Sequence, residues 1–171
     1  MEDGILVAYA TQAGSTGEVA EAVGEALRED NTPVDVRRAK EVSDVSAYRA
    51  VVLGTGIRAG RVYREAVGFL QRHQDALSKV PVAYFVVCMT MQDDTEENRR
   101  VVEAYLDPVR EKVPQVRPVD VGLFGGVMNF KVLPLLLRLL VKVMKSPEGD
   151  FRDWEAVREW ATSLRPALLG S

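Results

Sequence analysis

Residues 9–23, YATQAGSTGEVAEAV, decide how the chain reads. Leading into them is Ile5-Leu6-Val7-Ala8-Tyr9, an apolar run rich in the residues of a buried strand. It stops abruptly at Thr11, Gln12, Ala13, Gly14, Ser15 and Thr16. Val19, Ala20, Val23, Ala26 and Leu27 then fall at helical spacing, which predicts a helix from about Thr16 to Glu29. A helix N-terminus leaves backbone N–H groups without intrahelical partners and carries partial positive charge. Gly14 lets the backbone curl close to a bound group. Thr11, Ser15 and Thr16 add hydroxyl donors, so the turn reads as a phosphate cradle. An ordinary N-cap needs one hydroxyl, not three and a glycine. The loop has no Lys or Arg, so it would hold the anion with dipoles and hydroxyls. Nor is there a G-x-x-x-x-G-K-[ST] loop of the nucleotide-triphosphate type.

Outward from this turn, short apolar runs alternate with helical patterns. Strands are expected from Ile5 to Ala10, Val34 to Ala39, Ala50 to Leu53, Val82 to Cys88 and Val116 to Phe124. Tyr63, Ala66, Val67 and Leu70 mark a second helix. A third is expected from Thr95 to Val113, bent or cut short at Pro108. Trp154, Val157, Trp160, Ala161 and Leu164 stripe a closing helix after Asp150 or Asp153. Alternation of this kind predicts an α/β fold, a three-layer doubly wound sandwich on a five-stranded parallel sheet of order 2-1-3-4-5. Its ligand site lies beyond the carboxyl ends of the strands, where strand order reverses. Two further loops should reach that crevice: GTGIRAGRVY, residues 54–63, and CMTMQDD, residues 88–94.

With 171 residues, nearly half of them apolar, the chain is expected to form one domain, 1–171. A net charge of -3 speaks against nucleic acid as partner. One cysteine excludes an internal disulfide and a Cys-based metal framework, and fits a reducing, cytoplasmic location. The start, Met-Glu-Asp-Gly, is read as carrying no leader peptide, and no apolar stretch reaches transmembrane length.

Thr11–Thr16 resembles the T-x-[TA]-G-x-T phosphate loop of the flavodoxin family, which binds the 5′-phosphate of flavin mononucleotide (FMN). Many flavodoxins carry a third hydroxyl where this chain has Ala13. The segment GTGIRAG, residues 54–60, and the DWEAV start of the last helix are similar to the quinone-dependent protoporphyrinogen IX dehydrogenases of bacterial haem synthesis. The resemblance covers nearly the whole chain. It implies FMN as cofactor, held by Thr11–Thr16, with Thr55, Gly56, Ile57, Arg58, Met89, Thr90 and Met91 around the flavin ring.

Arg58, between Gly56 and Gly60, is the sharpest candidate outside the phosphate loop. Its cation would stabilise negative charge on a reduced ring or meet a substrate carboxylate. GTGIRA also fits the dinucleotide pattern G-x-G-x-x-[GA], but the acidic residue expected about 20 positions on is missing; Asp75 falls in a helical region. His73 reads as a surface residue late in a polar helix, and Cys88 as packing. Met89 and Met91 are open to either ring contact or core. Trp154 and Trp160 read as core. Tyr63 and Phe130 are weak candidates for an aromatic flank of the ring. No metal site emerges.

Between the last strand and the last helix, about 127–149, lies GGVMNFKVLPLLLRLLVKVMKSPEG. On a helix, Lys131, Arg138, Lys142 and Lys145 fall within roughly 60° of one another. The rest of the circumference is apolar, broader than the stripe of about 100° that a surface helix needs. The segment reads either as a buried covering helix or as an amphipathic insertion from Lys131 to Lys145 that meets a membrane surface or a partner. The functional expectation is an FMN-dependent oxidoreductase, quinone-linked, working in the cytoplasm or peripherally on the inner membrane face, with self-association open. A flavodoxin-type electron carrier docking on redox proteins is the second reading, and a scaffold without flavin the third.

Overall fold

The computed structural model describes residues 4–12, 14–128, 134–143 and 149–170. Five strands form the main sheet: β1 (Gly4–Tyr9), β2 (Val34–Arg38), β3 (Tyr48–Arg58), β5 (Val82–Cys88) and β6 (Val121–Gly125). A two-residue strand, β4 (Arg61–Val62), folds back antiparallel on β3. The parallel order is β2-β1-β3-β5-β6, the doubly wound arrangement expected, once β4 is set aside. β1 lies between β2 and β3, so strand order reverses there.

Helices cover both faces. On one side α1 (Ser15–Leu27) and α6 (Trp154–Leu169) pack with Ile5, Val7, Val52 and Phe85. On the other, α2 (Arg64–Leu77) packs through Ala66, Phe69 and Leu70 on Leu6, Val51 and Tyr84. α3 (Glu96–Tyr105) and α4 (Asp107–Lys112) complete that face through Val102, Leu106 and Val109. Strands buried on both faces explain why the apolar runs of β1, β3 and β5 are unbroken rather than alternating.

The helix expected from Thr95 to Val113 is interrupted near Pro108 as expected: Pro108 occupies the first turn of α4, where a missing N–H costs nothing. Two boundaries differ from the sequence reading. The strand expected from Val116 begins only at Val121. Most consequentially, β3 does not end at Leu53 but runs on to Arg58. Gly54 and Gly56 look like loop residues, yet each admits an aromatic ring: a Cβ would lie 2.0 Å from the Phe85 ring at Gly54 and 2.7 Å from the Tyr63 hydroxyl at Gly56.

After β6 the chain makes an excursion. β7 (Val127–Met128) and β8 (Gly149–Asp150) pair antiparallel and form its neck. Within it, α5 (Leu135–Val143) begins just after Pro134. Leu135, Leu136, Leu139, Leu140 and Val143 are each more than half exposed. Burial against the domain, one of the two readings of this segment, is therefore not what the described residues show. Lys131 and Lys145 lie outside them.

Candidate functional site

Parallel register brings the candidate loops together. Tyr9 pairs with Gly54, Gly56 with Val87, and Cys88 with Gly125. Adjacent strands are about 4.8 Å apart, so β1, β3 and β5 end side by side at one end of the sheet, β3 running four residues past the level of Tyr9. The Ala10 N–H donates to the Gly54 carbonyl at 2.9 Å and ties the exit of β1 to β3.

The turn after β1 has the geometry of an anion cradle. Gly14 is the N-cap of α1 at φ +90°, a left-handed conformation that side chains rarely adopt. It has no side chain with which to cap, so the leading N–H groups of α1 remain for an outside acceptor. A Cβ at Gly14 would meet nothing within 4 Å, so the mouth is open. The Gly14 N–H donates to Thr11 Oγ1 at 2.9 Å, which leaves the Thr11 hydroxyl hydrogen to donate elsewhere. Thr16 is buried, Ser15 partly so, and Gln12 is exposed. Ala13 lies outside the described residues. A phosphate fits this donor set: neutral donors converge on a helix end, with open space before them.

Two arginines that the sequence reading missed brace this cradle. Arg38, at the end of β2, donates from Nη2 to the Thr11 carbonyl at 3.0 Å and from Nε to Glu65 at 3.2 Å. Arg152, just after β8, pairs with Glu18 in the first turns of α1 and with Asp150 at 2.7 Å. Its guanidinium lies 4.6 Å from the centroid of the Trp154 ring. Arg38 meets Thr11 and Glu65, and Arg152 meets Glu18, only through the fold.

At the end of β3 the expected loop is a hairpin. Ile57 pairs with Val62 and Arg58 with Arg61, around Ala59 at φ 51° and Gly60 at φ 72°. Thr55 is buried; its hydroxyl donates to the Gly56 carbonyl at 2.8 Å and accepts the Tyr63 N–H at 3.4 Å. The Thr55 side chain thus holds the hairpin. Tyr63 covers Gly56, and burial raises its phenol pKa. Arg58 is exposed at the hairpin, with Ile57 half-buried beside it.

After β5, Met89–Gln92 is a single 3-10 turn. Met89 and Thr90 are partly exposed at the sheet edge, but the Met91 side chain is buried with Val86, Cys88, Val102 and Leu106. Met91 is therefore core, one of the two readings left open for it. Cys88 is buried and its thiol pKa is raised by that burial, so it packs as expected. His73 is not the surface residue expected. It packs on Phe69 at 4.9 Å, its Nε2 is buried without a hydrogen-bond partner among the described residues, and burial lowers its pKa. Trp160 closes an aromatic cluster with Phe85 and Phe124. Trp154 is half-buried under Arg152, and Phe130 lies outside the described residues. Asp75 is inside α2, away from any strand end, which disposes of the dinucleotide pattern.

Beside the cradle opens a cleft of about 1170 Å³. It is lined by Thr11, Gln12 and Arg38, by the hairpin from Arg58 to Val62, and by residues of α2 and α4. Thr16, Thr55, Gly56 and the Met89–Gln92 turn do not line it.

A parallel sheet with an anion cradle at its strand-order reversal defines a doubly wound domain with room for a phosphate in front of its first helix. The sequence profile of the Flavodoxin domain family matches residues 6–155. The chain belongs to that family, and its cofactor is FMN. It is 27% identical to a protein named protoporphyrinogen IX dehydrogenase [quinone] from Leishmania major, over 93% of this chain and 73% of that one. It is 22% identical to the protein of the same name from Escherichia coli (strain K12), over 93% of each. Among solved structures it resembles a flavodoxin from the domain Archaea, with TM-score 0.59 and 15% identity over 96% of this chain and 98% of that one. Oxidised flavodoxin 2 from Bacillus cereus gives 0.57 and 20% identity over 98% of each.

Proposed function

We propose that this chain is an FMN-dependent dehydrogenase that oxidises protoporphyrinogen IX and passes the electrons to a quinone. Support comes from its similarity, over 93% of its length, to enzymes of that name, together with a roomy cleft at the cofactor's edge. FMN, when bound, supplies the electron-accepting chemistry. The residues Thr11 and Gly14–Thr16 bind its phosphate. Arg38 fixes the Thr11 carbonyl and so the shape of that loop. Thr55 and Tyr63 hold the hairpin that carries Arg58. Arg58 then offers its cation either to charge developing on the ring or to a substrate carboxylate.

The apolar face of α5 fits the quinone part of this reading. Its neck leaves and rejoins the domain beside the cradle: the Phe151 N–H donates to the Gly126 carbonyl at 2.9 Å, and Arg152 pairs with Glu18. No helix among the described residues is long and apolar enough to cross a membrane. Leucines exposed on a basic helix suit the surface of an anionic bilayer, where a quinone dissolves.

The test is anaerobic mixing of FMN-loaded protein with protoporphyrinogen and a menaquinone analogue. Porphyrin fluorescence should grow at a rate that depends on the quinone. If no porphyrin forms but electrons pass to redox proteins, the electron-carrier reading replaces this one. The membrane part is tested by co-sedimentation. The chain should pellet with anionic vesicles, and replacement of Leu136, Leu139, Leu140 and Val143 by Ser should release it with FMN still bound. Equal sedimentation of both forms removes the membrane from the proposal.

A further inference from the structure

The cleft beside the cradle carries four cations that have no ion-pair partner among the described residues: Arg58, Arg61, Arg64 and Lys112. Its fifth, Arg38, is matched by its only carboxylate, Glu65. Such an excess is unexpected in a chain of net charge -3. Like charges in one concavity raise each other's energy and focus a positive field into it.

The hairpin makes the cost specific. Arg58 and Arg61 are direct cross-strand partners. Directly opposed like charges destabilise a strand pair. They are joined by a turn whose two central residues both have positive φ, and one of these is Ala59 rather than glycine. A non-glycine residue held there is strained. Gly60 approaches the Tyr105 ring, where a Cβ would stand 3.6 Å away, so the tip is folded down over α3. Two unfavourable choices therefore place a pair of arginines side by side on the lining of the cleft. Lys112, in the last turn of α4, and Arg64, the first residue of α2, line the same cleft. The walls are apolar, from Val62, Val67, Tyr105 and Val109.

We infer that this cleft binds the substrate as a dianion: an apolar ring system carrying two carboxylates, met by the cross-strand pair Arg58 and Arg61 together with Arg64 and Lys112. Guanidiniums match carboxylates in a bidentate fork, and the bound anions remove the repulsion that the empty hairpin bears. A cleft of about 1170 Å³ lies above the roughly 300–1,000 Å³ usual for small-molecule sites, as a large tetrapyrrole ring requires. This assignment rests on the porphyrinogen reading and names the residues of this chain that would recognise its two propionates.

The experiment titrates FMN-loaded protein with protoporphyrin IX and, separately, with its dimethyl ester, which keeps the ring and removes both charges. The free acid should bind at least about tenfold tighter, and the gap should shrink as salt screens the cleft. Arg61→Gln with Arg64→Gln should narrow the gap by about tenfold while FMN affinity holds. Lys112→Gln, on an exposed helix end, repeats the measurement without touching the hairpin. Equal binding of acid and ester, or an undiminished gap in both variants, overturns the inference. FMN titration is scored independently. A chain that takes FMN but does not discriminate acid from ester loses only the cleft assignment. One that discriminates but produces no porphyrin on anaerobic turnover keeps the cleft as a dianion site and loses the dehydrogenase reading.

Discussion

The protein presents two receptors for negative charge a few residues apart, and they are built on opposite principles. The cradle after β1 contains no cation; it uses the uncapped end of α1, the left-handed Gly14 and neutral hydroxyls. The cleft beside it contains four cations without an ion-pair partner among the described residues and is wide and open. Dipoles fixed in a backbone act at short range and demand a snug partner, which suits a resident cofactor's phosphate. Point charges on long side chains act over a Debye length, about 10 Å at 0.1 M salt, and suit a ligand that must arrive and leave.

The largest expected effect separates the two. Gly14→Val places a β-branched residue at positive φ, and Thr16→Ala removes a donor; each lost hydrogen bond to a charged group is worth about 1.5–3 kcal/mol. The double variant should bind FMN roughly a hundredfold more weakly by fluorescence titration, with its fold retained by circular dichroism. Parental affinity would place the phosphate elsewhere. In the parent, high salt should leave FMN affinity within about threefold while weakening dianion binding in the cleft much more.

Arg58→Met comes next. It should slow turnover about tenfold or shift the flavin midpoint potential, with little change in Tm because the side chain is exposed. Unchanged kinetics and potential would reduce Arg58 to a surface residue. Arg38→Met should be milder. It frees the Thr11 carbonyl and leaves Glu65 unmatched, so FMN affinity should fall about threefold to tenfold while porphyrin discrimination survives. A change in porphyrin discrimination with no change in FMN affinity would assign Arg38 to the cleft instead.

The smallest effect lies outside both receptors. Burial lowers the His73 pKa in the folded state below its usual 6.5, so folding favours the neutral ring. Its contribution to stability is complete above about pH 6.5 and is lost as pH falls from there toward the folded pKa. His73 is the chain's single histidine, so Tm should decline over that window and His73→Gln should flatten the decline. A variant with the parent's pH profile assigns the decline to carboxylates.

The cradle was legible in sequence because all of its parts are local. A strand's end, a glycine and a helix's start fall within residues 9–23. The sheet order followed from the same alternation. What was not legible depends on contacts across the fold. Gly54 and Gly56 look like loop until Phe85 and Tyr63 fill the space above them. Met91 is open to either ring contact or core until Val86, Val102 and Leu106 enclose it. Arg38 and Arg152 become braces only through partners 27 and 134 residues distant. The cleft itself needs the hairpin, α2 and α4 together, and of those four cations only Arg58 had stood out.

The bare leucines of α5 also govern how the isolated protein behaves in a test tube. In dilute buffer without lipid or detergent, the most available cover for one such helix is the same helix on another molecule. Apparent size on gel filtration should then climb with loading concentration. It should climb most near the isoelectric point of about 5.3, where colloidal repulsion between molecules vanishes. A trace of mild detergent should return the monomer peak, so a routine column profile reports on what that helix is made to touch.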